Sequence, residues 1–335
     1  MKHDNDDTNK NLWNNFKNSK IILATSKIRK FREFNICLIL IAVCLLISLF
    51  SEYFLKTENL MGIAKSFSTT AIMALGMTMV IVIGGIDLSV GSIVGLSAIM
   101  TAFGFENGYP AVVCVLMGLA IGFLVGLSNG LLIAKLKLQP FIATLGTMNI
   151  GRGLIYIMTK GTPKTPDLPK GFVFFGQGYL GVVPMPVVIL AVLTLTFTII
   201  MTMTRFGRHV YAIGGNELAS KLSGVKTDKT KIIVYSLSGM LSAVAGIVLY
   251  SRLTSAEASA GFGSEVDVIA AAVIGGASMA GGAGSIIGAV IGAALIGVIQ
   301  NGIVLLSINT YAQQVIIGMV ILIAISLDTF RKKNR

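Results

Sequence analysis

Charge is scarce in this chain of 335 residues, and its scarcity decides the class of protein. Only 13% of the residues are charged, whereas 54% are hydrophobic and the mean hydropathy is +0.82. A soluble domain carries about 25% charged residues. The composition therefore excludes a soluble enzyme, a disordered protein and a secreted disulfide scaffold. It favours an all-α polytopic membrane protein, because apolar runs of about 20 residues form spanning helices.

The residue types that build metal, redox and nucleotide sites are equally scarce. The chain has two histidines, which lie in polar segments, and three separated cysteines inside apolar runs: Cys37, Cys44 and Cys114. Such a set predicts no zinc or redox site. The chain contains no Gly-Lys pair, and hence no P-loop for ATP. We expect no catalytic residue, metal or cofactor in this chain, and no nucleic-acid partner.

Apolar runs predict ten membrane spans, of which the Gly-rich run at 267–280 is short for a full crossing. The spans lie near 34–50, 66–84, 88–105, 110–134, 140–158, 186–203, 232–250, 267–280, 285–306 and 312–328. The predicted organisation is a basic tail at 1–33, a membrane domain at 34–330 and a basic tail at 331–335. The first span follows a long polar lead, which argues against a cleavable signal peptide.

The distribution of basic residues orients these spans. Twenty of the 27 Lys and Arg fall in the two tails, in the long loop 205–231 and in the turn after 134. All four segments lie on one side of the ten-span arrangement. Because basic loops stay on the cytoplasmic side, both termini are expected there.

Glycine is abundant, at 38 residues, and is arranged in ladders. Spacing of four puts such residues on one helix face, where helix backbones can approach closely. The ladders are Gly118, Gly122, Gly126 and Gly130; Gly284, Gly288 and Gly292; and Gly91 with Gly95. Two Gly-rich stretches, at 82–95 and 273–288, also resemble each other, which indicates either an internal duplication or a chance match.

Two ionisable residues, Asp87 and Arg152, fall inside apolar sequence, where charge is costly and therefore suggests function. Asp87 interrupts a run too long for one helix, in a motif with Gly85, Ser89 and Gly91. Asp87 or Ser89 is placed to cap the following helix, and the alternative is a role in gating or partner contact. No Asp/Glu/His chain of the kind used in proton relays accompanies them.

The long loop 205–231 contains a short capped helix. Asn216 is a good N-cap, Glu217 suits the helix start, Lys221 its end, and Gly224 the C-terminal cap. Leu218 and Leu222 lie four residues apart, and Val225 continues their apolar stripe. Such a helix needs an apolar groove, either in another protein or at the inner ends of the spans. We predict contact with a partner protein.

Five stretches of the chain resemble the permease subunits of ATP-binding-cassette sugar importers of the ribose type, across roughly 34–330. They are 84–92 (GGIDLSVGS), 143–147 (ATLGT), 211–217 (YAIGGNE), 222–225 (LSGV) and 270–282, which contains AAAVIGGAS. The resemblance implies a fold similar to the vitamin B12 importer permease, with ten spans per subunit, in the bacterial plasma membrane. The short helix departs from the broader importer loop, because Leu218 replaces an alanine and the spacing to Gly224 is longer.

The resemblance also implies partners: a cytoplasmic ATPase that binds ATP and magnesium, an extracytoplasmic sugar-binding protein, and a second permease copy within the lipid bilayer. Asn216, Glu217, Leu218, Leu222, Gly224 and Val225 are then the predicted ATPase-coupling residues. Transport of a monosaccharide, with ribose foremost, is the expected function. A secondary carrier driven by ions is the alternative, and a membrane-anchored sensor would need a soluble domain that the chain lacks.

Two further sets of residues are candidates for contact with the binding protein and the sugar. Arg252 and the lysines of the proline-rich outer loop, Lys164 and Lys170, could meet acidic lobes of a binding protein. Amides can bind hydroxyls without the desolvation cost of charge, so a path of small and apolar residues would use a few of them. The amide candidates, which could instead bridge helices, are Asn129, Asn149, Gln300 and Asn301.

Overall fold

The computed structural model describes residues 32–309 and the isolated positions 315, 316, 318, 319 and 322. Within them the chain forms twelve helices and one two-stranded hairpin. The helices are α1 (Arg32–Phe50), α2 (Thr57–Val82), α3 (Val90–Glu106), α4 (Ala111–Ala134), α5 (Pro140–Thr159), α6 (Lys170–Gln177), α7 (Met185–Met203), α8 (Arg205–Gly215), α9 (Glu217–Leu222), α10 (Thr227–Leu253), α11 (Ser264–Ile274) and α12 (Ile286–Leu305). The hairpin pairs β1 (Tyr179–Leu180) with β2 (Val183–Pro184) in antiparallel register.

Seven of the described helices are long and apolar enough to cross a membrane: α1, α2, α4, α5, α7, α10 and α12. The predicted span 88–105 corresponds to α3, a shorter apolar helix of 17 residues. The predicted span at 267–280 is wrong as one continuous helix. α11 has 11 residues and ends at Ile274, and the next eleven residues, 275–285, are not helical. The predicted span 312–328, the tail at 331–335 and residues 1–31 lie outside the continuously described residues, whereas Arg32 and Glu33 of the predicted tail begin α1.

Helices α2 and α10 form the centre of the bundle. Every residue from 71 to 83 of the α2 segment is buried, and α10 packs against α2, α3 and α4. Helices α4, α5 and α7 instead have many exposed apolar side chains, such as Leu124, Ile157 and Leu195. Their outer surfaces suit lipid or another subunit, because water would solvate them poorly.

The Gly118–Gly130 ladder packs as the spacing predicts. A Cβ at Gly122 would meet the carbonyl oxygen of Gly239 at 2.5 Å, and one at Gly130 would meet the Cα of Ile232 at 2.7 Å. Both neighbours lie on α10, so the ladder allows α4 and α10 to approach through their backbones. In the second predicted ladder, Gly288 and Gly292 face α11, whereas Gly284 precedes α12 and is not helical.

Candidate functional site

Two helix breaks of the same local form interrupt the bundle. The first joins α2 to α3 and the second joins α11 to α12. At the first break Gly84 has φ +82° and the N–H of Gly85 donates to the Val80 carbonyl at 2.9 Å. At the second, Gly276 has φ +95° and the N–H of Ala277 donates to the Ala272 carbonyl at 2.9 Å. Each is a glycine C-cap closed by a 6→1 bond. The similarity detected in the sequence therefore extends to backbone geometry, with a shift of one residue.

The two breaks lie against each other and against α8. The N–H of Gly282 donates to the carbonyl oxygen of Val82 at 2.8 Å. Gly214 of α8 lies at the same point, since an added Cβ would overlap the Val82 oxygen and the Gly282 nitrogen. The Tyr211 hydroxyl donates to the Gly284 carbonyl at 2.9 Å. Three distant segments of the sequence thus converge at one place.

Asp87, in the first break, is fully buried in a polar network. Its Oδ1 accepts from the N–H of Ser89 at 3.0 Å and from the Ser89 hydroxyl at 2.6 Å. Its Oδ2 accepts from the Ser238 hydroxyl on α10 at 3.0 Å. The Asn129 amide of α4 donates to the Ser89 hydroxyl at 2.8 Å, and the Thr147 hydroxyl of α5 donates to the Asn129 oxygen at 2.7 Å. The network ties the first break to three helices.

The predicted capping role of the motif needs correction. Ser89 occupies the N-cap position of α3, but its side chain makes no capping bond to that helix. Asp87 accepts the Ser89 N–H, which lies before the helix. The glycines of the motif allow close packing instead: a Cβ at Gly85 would overlap the Tyr235 hydroxyl, and one at Gly91 would overlap the Gly261 carbonyl.

The short helix α9 has the predicted caps. The Asn216 side chain accepts from the Ala219 N–H at 2.9 Å. At the other end Gly224 has φ +85°, and the Val225 N–H donates to the Ser220 carbonyl at 3.0 Å. The helix is therefore closed at both ends by side-chain and backbone bonds.

The surface of α9 carries two of the three predicted apolar residues. Leu218 is 69% exposed and Leu222 is 81% exposed, whereas Val225 packs against the core of the bundle. The Glu217 carboxylate pairs with Lys231 of α10 at 2.7 Å and not with Lys221, one turn away on its own helix. This pair attaches α9 to a central helix. A cavity of about 330 Å³ lies beside it, lined among others by Gly84, Gly85 and Tyr235.

Three of the four amides predicted to line the path bridge helices in this structure. Asn129 is buried in the Asp87 network, Asn301 exchanges hydrogen bonds with Asn59 of α2, and Gln300 donates to Asp267 of α11 at 3.0 Å. Asn149 is exposed and donates only to its own helix, at Leu145. The competing interpretation, that amides hold helices together, thus describes Asn129, Asn301 and Gln300.

The predicted docking residues lie around the ends of α5 and α10. Lys164 pairs with Glu106 at 3.1 Å, which occupies its ammonium group. Lys170 is exposed at the start of α6. Arg252 is half-buried in the last turn of α10, and its carbonyl accepts from the Gln177 side chain at 2.9 Å. The segment 160–185 between α5 and α7 therefore contains a short helix and a hairpin.

Sequence reasoning missed several residues of these sites. Ser238 and Thr147 are ordinary helix residues in the sequence, and only packing brings them to the Asp87 network. Glu265 and Asp267 lie in the first turn of α11, inside the bundle. Acidic residues two apart at the start of a helix were the available signal for that pair.

The architecture is that of a polytopic membrane protein with two broken helices, and both breaks meet α8, which leads into the exposed helix α9. Residues 59–325 match the family described as "Branched-chain amino acid transport system / permease component", and the chain belongs to that family. By its description, the family comprises permease components of transport systems.

Curated relatives align with this chain over most of its length. The ribose import permease protein of Bacillus subtilis (strain 168) is 43% identical over 296 residues, which cover 88% of this chain and 91% of the relative. The ribose import permease protein of Escherichia coli (strain K12) is 43% identical over 294 residues, which cover 87% of this chain and 91% of the relative. The xylose transport system permease protein of Haemophilus influenzae is 34% identical over 363 aligned positions, which cover 89% of this chain and 96% of the relative. No solved structure matches.

Proposed function

We propose that this chain is the membrane subunit of an ATP-binding-cassette importer that moves a monosaccharide, ribose foremost, into the cytoplasm. The observation that carries the proposal is the 43% identity to ribose import permeases over about nine-tenths of their length. Relatives named for xylose and D-allose are 34% and 37% identical, which supports sugars as the class and ribose as the first candidate.

The proposed setting is the bacterial plasma membrane, with both termini in the cytoplasm. The excess of basic residues in the tails and in loop 205–231 supports this orientation. The spans would number ten if α3, the α11 region and the segment at 312–328 complete the seven long helices. A second permease copy would cover the apolar faces of α4, α5 or α7.

We propose that a cytoplasmic ATPase subunit binds the exposed face of α9. Support comes from the exposure of Leu218 and Leu222, since both side chains are free to enter an apolar groove of a partner. Movement imposed on α9 would reach α8, and through Gly214 would reach both helix breaks. A packed junction of this kind transmits movement when the partner makes different contacts in two states.

A secondary carrier is the less favoured function. Membership of a permease family and the lack of an Asp/Glu/His chain near Asp87 among the described residues both count against it. The direct test is ribose uptake into proteoliposomes that contain the permease, its ATPase and its binding protein. Uptake that needs internal ATP and the binding protein supports the importer, whereas uptake driven by a proton or sodium gradient without ATP would refute it.

The permease alone is expected to hydrolyse no ATP, because the sequence has no phosphate-binding loop. The measurement is phosphate release from the purified chain in nanodiscs, with and without the ATPase subunit. Activity in the isolated chain that persists after removal of contaminating ATPases would contradict the assignment.

Arg252→Glu is expected to weaken docking of the binding protein and to lower ribose uptake several-fold. An arginine can form a bidentate pair with a carboxylate, and the reversed charge would repel it. Arg252→Lys, which keeps the charge, should lose less. Charge reversal on the binding protein should restore uptake. Wild-type uptake by Arg252→Glu at normal expression would remove this residue from the docking surface.

A further inference from the structure

One exposed face of α5 carries polar residues in the middle of a membrane-spanning helix. Asn149 and Arg152 lie three residues apart and so share a face. Asn149 is exposed and Arg152 is half-buried, within a helix long and apolar enough to span the membrane. Polar groups at this depth face water or other protein groups, because lipid would leave them unsolvated. This face of α5 is therefore suited to an aqueous path.

Arg152 is positioned against the loop that precedes α11. Its Nη1 donates to the Ala260 carbonyl at 2.7 Å, and its guanidinium lies 5.4 Å from the centre of the Phe262 ring. Phe262 is 79% exposed. The second terminal nitrogen, Nη2, is buried and has no hydrogen-bond partner among the described residues. The arginine thus has a buried donor without a hydrogen-bond partner, close to an exposed aromatic ring.

Glu265, in the first turn of α11, supplies an acceptor at the same place. Its Oε2 is also buried without a hydrogen-bond partner among the described residues. A Cβ at Gly91 would overlap this oxygen and would lie 3.5 Å from Arg152 Nη2. The two groups therefore lie together beside Gly91, whose lack of a side chain allows the carboxylate to approach the backbone of α3. No salt bridge joins them in the described part of the chain, but they are near enough for their opposite charges to attract each other.

These groups complement a sugar. A hydroxyl oxygen can accept from the guanidinium while its proton is donated to the carboxylate. An exposed aromatic ring offers an apolar surface to the C–H face of a pyranose or furanose. Sites for small polar molecules combine such apolar area with a few placed polar groups. A fully apolar ligand would leave both charged atoms unpaired, which is costly.

We propose that Arg152, Phe262 and Glu265 form a contact site for monosaccharide hydroxyls within the translocation path. The proposal rests on the proposed function and assigns residues to its path. Thr144, whose hydroxyl is 3.4 Å from the Ile86 carbonyl, marks the level of the first break on α5. Arg152 lies about 12 Å further along the helix. The site is thus inside the membrane, away from the α8–α9 end.

The first test asks whether this face meets water, and needs no sugar. Asn149→Cys would be made with Cys37, Cys44 and Cys114 replaced by serine, and treated with a charged, membrane-impermeant methanethiosulfonate. The cysteine thiolate attacks the sulfur of the reagent and displaces sulfinate, and the thiolate forms only where water is present. Leu195→Cys, on an exposed apolar position of α7, is the matched control. We expect modification of Cys at 149 at least tenfold faster than at 195. Equal rates would overturn the proposal.

The second test asks whether the site touches the sugar. In proteoliposomes with saturating binding protein, Glu265→Gln and Arg152→Lys should lower ribose import about tenfold or more, a loss expected for a hydrogen bond to a charged group. ATP hydrolysis stimulated by the binding protein should stay within twofold. The wild type should import at least one single-deoxy ribose more slowly than ribose, and Glu265→Gln should abolish that preference.

The results of these two tests distinguish a failure of the contact-site proposal from a failure of the proposed function. A variant that slows ribose and every deoxy analogue equally would assign Arg152 and Glu265 a structural role and overturn the contact site. Import by the variants at wild-type rates would overturn it as well. A wild-type complex that imports no monosaccharide would refute the proposed function, while the thiol-modification rates would still decide whether this face of α5 is aqueous.

Discussion

Leu222→Glu is expected to leave the permease folded and inserted while the ATPase subunit no longer co-purifies with it. The side chain is 81% exposed in the chain alone, so its replacement removes little contact within the permease. If α9 sits in a groove of the ATPase, the variant loses about 1.5–3 kcal/mol of apolar burial and buries a charge as well. The burial term alone weakens assembly about tenfold or more.

The control for Leu222→Glu is Ser223→Glu, which adds the same charge at the exposed C-cap, off the leucine face. It should retain most of the bound ATPase. Lys221→Ala should also have little effect, because Lys221 is not the partner of Glu217 in this structure. The measurements are co-purification and binding-protein-stimulated ATP hydrolysis. If both stay at wild-type levels in Leu222→Glu, α9 is not the coupling element, and the 84–92 motif is the next candidate.

The parts of this site that could be predicted from sequence are those with local causes. Asn216 and Gly224 cap α9 because capping bonds join residues three to five positions apart. The ladder from Gly118 to Gly130 was predictable for a similar reason, since spacing of four fixes one helix face whatever the partner is. The chain break around Asp87 followed from the length of the apolar run.

The parts that could not be predicted depend on tertiary packing. Glu217 has Lys221 one turn away on its own helix, but the fold brings Lys231 to 2.7 Å. Asn129 and Gln300 looked available for sugar, yet the fold gives them partners on other helices. α11 was predicted as a span because its composition is apolar. Its glycine C-cap at Gly276 ends it after three turns, and a second helix starts within the bundle.

A substitution at Gly214, which contacts both helix breaks, is also expected to have a large effect on import. A methyl group at 214 would overlap the Val82 carbonyl and would come within 2.5 Å of the Gly282 nitrogen. Both are backbone atoms and cannot rotate away as a side chain could. Either α8 moves outward or the Gly282–Val82 hydrogen bond breaks. Since α8 leads directly into α9, the proposed link from the ATPase to the breaks would be lost.

Gly214→Ala is therefore expected to reduce ATP-driven ribose import at least tenfold and to lower the melting temperature of the permease. Gly215→Ala is the matched control, because the next residue belongs to the same helix and its Cβ would meet nothing within 4 Å. Alanine favours a helix over glycine by about 1 kcal/mol, so both variants gain the same local helix propensity. A difference between them must come from crowding at the junction. Equal import by the two variants would mean that α8 does not transmit movement through this contact.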